Sequence, residues 1–174
     1  MTKFLEAPPI ISGETVLVTG GCGYIGSHTV IELLQAGADV VILDNLCNST
    51  VEVLRRIEKI TGRTVPFVEA DARDRSALDA LFQSYPVNAV MHFAGLKAVG
   101  ESVAMPLEYF DNNLVSTLRL LEAMRKADVR RLVFSSSAAV YGDPLAVPTR
   151  LHNLPLHLPG RVQRYSCFDS SLCV

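Results

Sequence analysis

The sequence predicts an α/β fold, a parallel sheet with helices wound over both faces, and three observations carry that prediction. From residue 13 to about 148, apolar runs of strand length alternate with segments of helix length. The first run leads into a glycine turn, Thr19-Gly20-Gly21-Cys22-Gly23-Tyr24-Ile25-Gly26, which opens an amphipathic segment. A second apolar run, Val40-Val41-Ile42-Leu43, ends in Asp44, about eighteen residues beyond the last of those glycines. Strands separated by helix-length connections imply right-handed crossovers, and therefore parallel pairing.

The elements follow in order. Thr15–Thr19 reads as the first strand. Tyr24–Gln35 is the helix after it, stopped by Gly37, and Asp39–Leu43 is the second strand. Ser49 with Glu52 has capping-box spacing, which predicts a helix running to about Ile60. Thr64–Glu69 is the third strand, and Asp74 can cap a helix reaching Ser84. Asn88–Phe93 is the fourth strand. Pro106 starts a longer helix whose apolar face is Leu107, Phe110, Leu114, Leu118, Leu121 and Met124. Val129–Ser135 is the fifth strand. A sixth strand is not visible, so the doubly wound sheet is expected to be cut short after five.

Composition narrows the function classes. A 174-residue chain with 49% hydrophobic and 20% charged residues is ordinary for one globular domain. Its net charge of −2 gives no electrostatic case for binding nucleic acid or an anionic membrane. No apolar run reaches membrane-spanning length, and the N-terminal residues lack the apolar core of a signal peptide. The four cysteines, Cys22, Cys47, Cys167 and Cys173, form no Cys-x-x-Cys pair, so neither zinc nor a redox motif is indicated. No metal site is expected, and the expected location is a reducing cytoplasm.

The motifs point to a dinucleotide. A strand, a glycine turn and a helix start present main-chain N–H groups to a pyrophosphate. Gly20 and Gly23 permit the tight turn, Gly26 lets helix and strand pack closely, and Tyr24 and Ile25 lie where the free donors are. Asp44, at the end of the second strand, suits a ribose 2′-hydroxyl and repels a 2′-phosphate, which reads as NAD rather than NADP. Asp71, after the third strand, can accept from an adenine amino group or simply cap the next element. After the fourth strand, the small residues of Phe93-Ala94-Gly95-Leu96-Lys97 let backbone approach the cofactor riboses, and Lys97 can pair with an anion. His92 reads as a packed strand residue rather than a ligand. Ser137, at the end of the fifth strand, can hydrogen-bond a reacting substrate oxygen.

The sequence changes character after Pro148. Residues 149–174 carry Arg150, Arg161 and Arg164 against the single acid Asp169, with no steady period, and Pro155 and Pro159 break any helix. The expectation is an incomplete NAD-binding Rossmann domain over residues 1–148 and an irregular tail over 149–174. Such a tail suits translation out of frame or aberrant splicing; a natural surface tail is the alternative.

Together, Thr-Gly-Gly-x-Gly-Tyr-Ile-Gly, Asp44-Asn45-Leu46-Cys47-Asn48-Ser49, the stretch Phe93 to Ser102, Asp111-Asn112-Asn113 and Ser135-Ser136-Ser137-Ala138-Ala139-Val140-Tyr141-Gly142-Asp143 resemble the UDP-glucose 4-epimerases of the extended short-chain dehydrogenase/reductase family. The match covers roughly residues 14 to 148. The resemblance implies NAD-dependent oxidation of a UDP-hexose at C4, rotation of the 4-keto sugar, and return of hydride to the opposite face, which interconverts UDP-glucose and UDP-galactose. It implies that Tyr24 and Ile25 face the pyrophosphate, that Asp44, Asn45, Leu46, Cys47, Asn48 and Ser49 surround the adenosine ribose, and that Asp71 and Ala72 contact adenine. It further implies that Phe93, Ala94, Gly95, Leu96, Lys97 and Asn112 line the cofactor, that Ser137 bonds the sugar hydroxyl, and that two chains form a homodimer.

One departure is chemical. The family places a tyrosine about twenty-five residues beyond the serine, with a lysine four further on; here those positions hold Val162 and Ser166. No Tyr-x-x-x-Lys occurs anywhere, and no lysine follows Lys126. Tyr165 has Asp169 at the lysine's spacing, and a carboxylate raises a phenol's pKa where a cation would lower it. The family's substrate-binding part is also expected to be absent. The chain is therefore expected to be an inactive epimerase by lineage. Two alternatives stand beside this. One is another NAD-dependent nucleotide-sugar enzyme such as a dehydratase, against which Ala138-Ala139 occupies the place of the needed Asp-Glu pair. The other is a non-catalytic NAD-binding module.

Overall fold

Alternating side chains on the first two strands divide the core in two. On β1, Thr15–Thr19, Leu17 points to one face of the sheet while Val16 and Val18 point to the other, and all three are buried. On β2, Asp39–Asp44, Val41 and Leu43 join Leu17 while Val40 and Ile42 join Val16 and Val18. A strand buried on both faces needs helices on both. The computed structural model, which describes residues 12–136, supplies them.

The five strands run in the order β3-β2-β1-β4-β5, all parallel, with β3 at Phe67–Glu69, β4 at Val87–His92 and β5 at Arg131–Phe134. Helices α1, Tyr24–Gln35, and α2, Glu52–Thr61, cover one face through Val30, Leu33, Leu34 and Ile57. Helices α3, Arg75–Ser84, and α6, Ser116–Lys126, cover the other through Leu78, Leu81, Leu120, Ala123 and Met124. Each buried valine, leucine, isoleucine or methionine among these contributes about 1.5–3 kcal/mol of transfer free energy. This is a doubly wound Rossmann sheet. Its order reverses at β1, so the connections leaving β1 and β4 diverge and open a crevice at the carboxyl ends of the strands.

Three expectations are corrected. Ser49 does not cap α2: Val51 precedes the helix, no side chain caps it, and the Ser49 hydroxyl donates instead to Asp44 Oδ1 at 2.9 Å. The third strand starts at Phe67 rather than Thr64, because Pro66 before it has no N–H to give a ladder. The long helix from Pro106 is not one α-helix. It is α5, Pro106–Phe110, then a π-helical segment, Asp111–Val115, then α6. The extra residue in a π turn shifts the helix phase. Tyr109, Leu120, Ala123 and Met124 are consequently buried, whereas Leu107, Phe110, Leu114 and Leu118 face outward among the described residues. A further short helix, α4 at Val99–Ala104, carries no sequence signal strong enough to have been foreseen.

Candidate dinucleotide site

The glycine turn is held from below. Gly20 has φ +69°, and a Cβ there would lie 2.7 Å from the Ala94 nitrogen. The left-handed backbone and the close approach of the loop after β4 both demand glycine. At Gly26 a Cβ would run into the Gly20 carbonyl. Gly23, the residue before α1, has an ordinary φ of −73° and would place a Cβ 3.3 Å from the Gly20 oxygen, with nothing else near. Gly21, whose role the sequence did not reveal, abuts the Ile42 side chain.

No side chain caps α1, and no acid occupies its first turn. Its leading donors therefore retain their partial positive charge, which is how a helix start receives an anion. They open onto a cavity of about 670 Å³ at the carboxyl ends of the strands. Gly20, Gly23, Tyr24, Ile25 and Gly26 form one wall. Asp44, Asn45, Cys47 and Asn48 form the next, with Asp71 and Ala72 beyond them. Phe93, Ala94, Gly95, Leu96 and Lys97, with Asn112, close the opposite side. Leu43, Ala70, Ala98, Glu101, Tyr109 and Ser116 also line it; the sequence assigned none of them to the site, although Leu43 ends the second apolar run and Ala98 and Glu101 lie in the Phe93–Ser102 stretch. Leu46 and Ser49 stand behind this wall: Leu46, at φ +56°, packs into the core, and Ser49 bonds Asp44. Ser137 lies outside the described residues.

Asp44 is a buried carboxylate with three partners of its own. Its Oδ2 accepts from the Cys22 N–H at 2.9 Å, and its Oδ1 accepts from the Leu46 N–H and the Ser49 hydroxyl, each at 2.9 Å. It thus clips the glycine turn to the loop after β2, and one lone-pair direction remains for a ligand hydroxyl. Burial, and then the Asp44 charge, push the Cys22 thiol up to about 12, so it stays protonated. Asp71 is more fully engaged. It accepts from Arg73 N, Nε and Nη2 and from Asn45 Nδ2, four donors on a group with about four acceptor sites. The Arg73 side chain above all holds Asp71 down at about 2. Arg73 also reaches Asp111 at 2.6 Å, tying the loop after β3 to the π-helical segment. An adenine amino group arriving at Asp71 meets a carboxylate whose partners it must share.

His92 is buried at the end of β4, with Nδ1 2.6 Å from Thr19 Oγ1 and Nε2 3.1 Å from Thr117 Oγ1. The Thr117 hydroxyl donates to the Asn113 carbonyl, so its oxygen accepts from Nε2–H, and Nδ1 then accepts from Thr19. This neutral tautomer satisfies every partner. Burial pushes His92 down to about 4 from the ordinary 6.5. A histidine whose folded pKa is depressed contributes stability that is whole above the unfolded value and is lost as pH falls towards the folded one. Lowering the pH from 7 to about 5 should therefore cost about 2 kcal/mol of unfolding free energy through this residue. Urea titrations of wild type and His92→Gln check it; equal losses in both would show that another group carries the acid sensitivity. Among the described residues, no three metal-binding side chains gather.

A family model described as the NAD dependent epimerase/dehydratase family matches residues 16–167. The chain belongs to this family. Members of the NAD-dependent epimerase/dehydratase family similar to it include the UDP-glucose 4-epimerase of Yersinia pestis, 61% identical over 133 residues, which are 76% of this chain and 39% of that protein. The UDP-glucose 4-epimerase of Schizosaccharomyces pombe is 62% identical over 130 residues, 75% of this chain and 37% of that one. Among solved structures, the Stenotrophomonas maltophila UDP-glucose 4-epimerase with bound NAD and formylated UDP-arabinopyranose superposes with TM-score 0.75 and 54% identity, over 78% of this chain and 40% of that one. The Bifidobacterium longum enzyme in complex with NAD+ and UDP gives 0.74 and 54%, over 77% and 40%. The chain thus spans about two fifths of the length of the curated family relatives it matches.

Proposed function

We propose that this chain is the NAD-binding portion of a UDP-glucose 4-epimerase, and that it binds NAD without turning over UDP-hexoses. The observation that carries the first half is the meeting, in one cavity, of an uncapped helix start behind a glycine turn with a buried acid at the end of the neighbouring strand. The cavity volume lies in the range that holds a large cofactor. In this reading the α1 start holds the pyrophosphate, and Asp44 orients the adenosine ribose. Ala72 and the Asp71–Arg73 pair flank adenine. The 93–97 loop and Asn112 hold the nicotinamide half, with Lys97 supplying positive charge beside the phosphates. Leu46 and Ser49 support the ribose wall from behind. When bound, NAD supplies a hydride acceptor for an alcohol carbon, and Ser137 would hydrogen-bond that alcohol.

The second half rests on Val162 and Ser166, which stand where the resemblance calls for tyrosine and lysine. A missing general base removes ~10²–10⁴-fold in rate. Titrating the full chain with NADH and NADPH by fluorescence should show NADH binding at least ~10-fold tighter, since Asp44 repels a 2′-phosphate. A coupled assay should find no UDP-glucose formed from UDP-galactose. Failure to bind NADH removes the first half; measurable turnover removes the second.

The same proposal divides the chain at 148 into an NAD-binding domain and a 149–174 tail, although the family match crosses that boundary. It includes pairing of two copies, for which the outward apolar stripe Leu107, Phe110, Leu114 and Leu118 is the support. It also includes a cytoplasmic location without nucleic-acid or membrane partners. Supporting this are the low net charge, the two unpaired cysteines among the described residues, and the absence there of any helix long and apolar enough to cross a membrane.

A further inference from the structure

We infer that the ion pair between Arg73 and Asp111 is a strap across the mouth of the cavity, and that it must part for a dinucleotide to enter or leave. This rests on the NAD reading for the ligand that passes. Arg73 follows Ala72 directly and Asp111 directly precedes Asn112, and Ala72 and Asn112 line opposite sides of the cavity. Arg73 Nη1 donates to Asp111 Oδ2 at 2.6 Å, so one contact joins the two walls. Neither residue lines the cavity itself. Both line a second cavity of about 550 Å³, which adjoins the first and shares Asn45, Cys47, Leu96 and Asn112 with it. The pair therefore stands at the boundary between the two, where it can close a passage without touching what lies inside.

The two ends of the strap differ in firmness. The Arg73 end is fixed: its main-chain N–H and Nε donate to Asp71 Oδ1 at 2.8 and 2.9 Å, and its Nη2 donates to Asp71 Oδ2 at 2.8 Å. The guanidinium is thereby presented in one orientation and loses little freedom on meeting a second carboxylate. At the other end, Arg73 is the one hydrogen-bond partner of the Asp111 carboxylate among the described residues. The side chains are 38% and 57% exposed, so water screens the contact and it opens without help. A strap that does not touch its ligand opens as often over a filled cavity as over an empty one. Removing it raises the entry and exit rates by one common factor and leaves the equilibrium affinity alone. Loss of the Asp111 charge as such acts differently: it relieves repulsion of an anionic ligand, which speeds association and slows dissociation.

Stopped-flow fluorescence with NADH on the full 174-residue chain separates these cases. Asp111→Ala should raise both the association and the dissociation rate constants ~3–5-fold at low salt, with the dissociation constant within about twofold of wild type. The excess over wild type should fall below about 1.5-fold in 1 M salt, where the Debye length is about 3 Å. Asp111→Glu, which keeps the charge, should leave both rates within about twofold of wild type. In the cofactor-free chain, the Arg73 Nη1 protons should exchange at least ~3-fold faster in Asp111→Ala, while the Arg73 main-chain amide, bonded to Asp71, keeps its wild-type rate. Faster association without faster dissociation makes Asp111 a source of repulsion only. Faster dissociation alone makes it a ligand contact. Unchanged rates remove the strap outright, and each of these results overturns the inference. If wild type binds no NADH while the Arg73 protons respond as stated, the strap between the walls stands and the NAD reading falls.

Discussion

Gly26→Ala should abolish detectable NADH binding, a loss of at least ~100-fold, and should lower the melting temperature of the cofactor-free chain. The added methyl would be driven into the Gly20 carbonyl, with the Gly20 carbonyl carbon and Gly21 Cα each 2.9 Å away. All three are main-chain atoms of a turn that cannot yield locally. The Gly20 N–H is bonded to the Leu43 carbonyl, Gly23 N–H to Gly20, and the Cys22 N–H to Asp44. Either α1 moves outward or the turn moves into the cavity. The first removes the helix start from the phosphates, and the second fills the space they would occupy. Overpacking of this kind costs about 1–3 kcal/mol. Gly100→Ala in α4 is the control, because nothing lies within 4 Å of its added Cβ and alanine favours a helix. Fluorescence titration and thermal melts of the two variants check this, and NADH affinity within threefold of wild type in Gly26→Ala would show that the turn tolerates what its geometry forbids.

Asp44→Ala should destabilise the chain by about 2–4 kcal/mol even without cofactor, the cost of leaving buried donors unpaired. The Cys22 N–H loses its acceptor in a buried position, and the Leu46 N–H and Ser49 hydroxyl lose theirs beside it. Leu46 feels this further, since its left-handed backbone is held in part by that bond. Asp44→Asn should fall between wild type and alanine, because it can serve one set of donors while its amide opposes the other. Urea denaturation at neutral pH reads the difference. A loss below about 0.5 kcal/mol in the alanine variant would reduce Asp44 to a ligand contact alone.

These two positions also show what the sequence made legible. The strand, the glycine turn and the helix after it were readable because each signal is local and strong, and both β1 and α1 begin and end where expected. Asp44 was readable as a ribose partner from spacing alone. Its second task, clipping the turn, was not, because it depends on which backbone donors the fold brings near. That same task diverted Ser49 from the cap its spacing suggested, so a local motif lost to a buried carboxylate eight residues before the helix begins. Arg73 folding back on Asp71 is likewise a matter of conformation rather than pattern.

The largest misreading was the stripe from Leu107 to Met124. Regular 3.6-residue spacing put these side chains on one face, and only its end, from Leu121 onward, turns inward. An inserted residue leaves no compositional mark, so sequence periodicity cannot reveal where a helix changes phase. Asn113 stood in a motif the sequence offered, but its task was not legible there, because its partners are the main-chain atoms of Leu96, seventeen residues away.

That extra residue makes the helix a phase joint between two independent tasks. Below it, Leu120, Ala123 and Met124 are indexed to the sheet; Tyr109 above it and Asn112 near its start are indexed to the cavity. A straight helix would have to compromise, rotating one set away to seat the other. With the offset at Asp111–Val115, the lower half can be repacked for rigidity and the upper half retuned for a different occupant, neither change being transmitted as a twist along the axis.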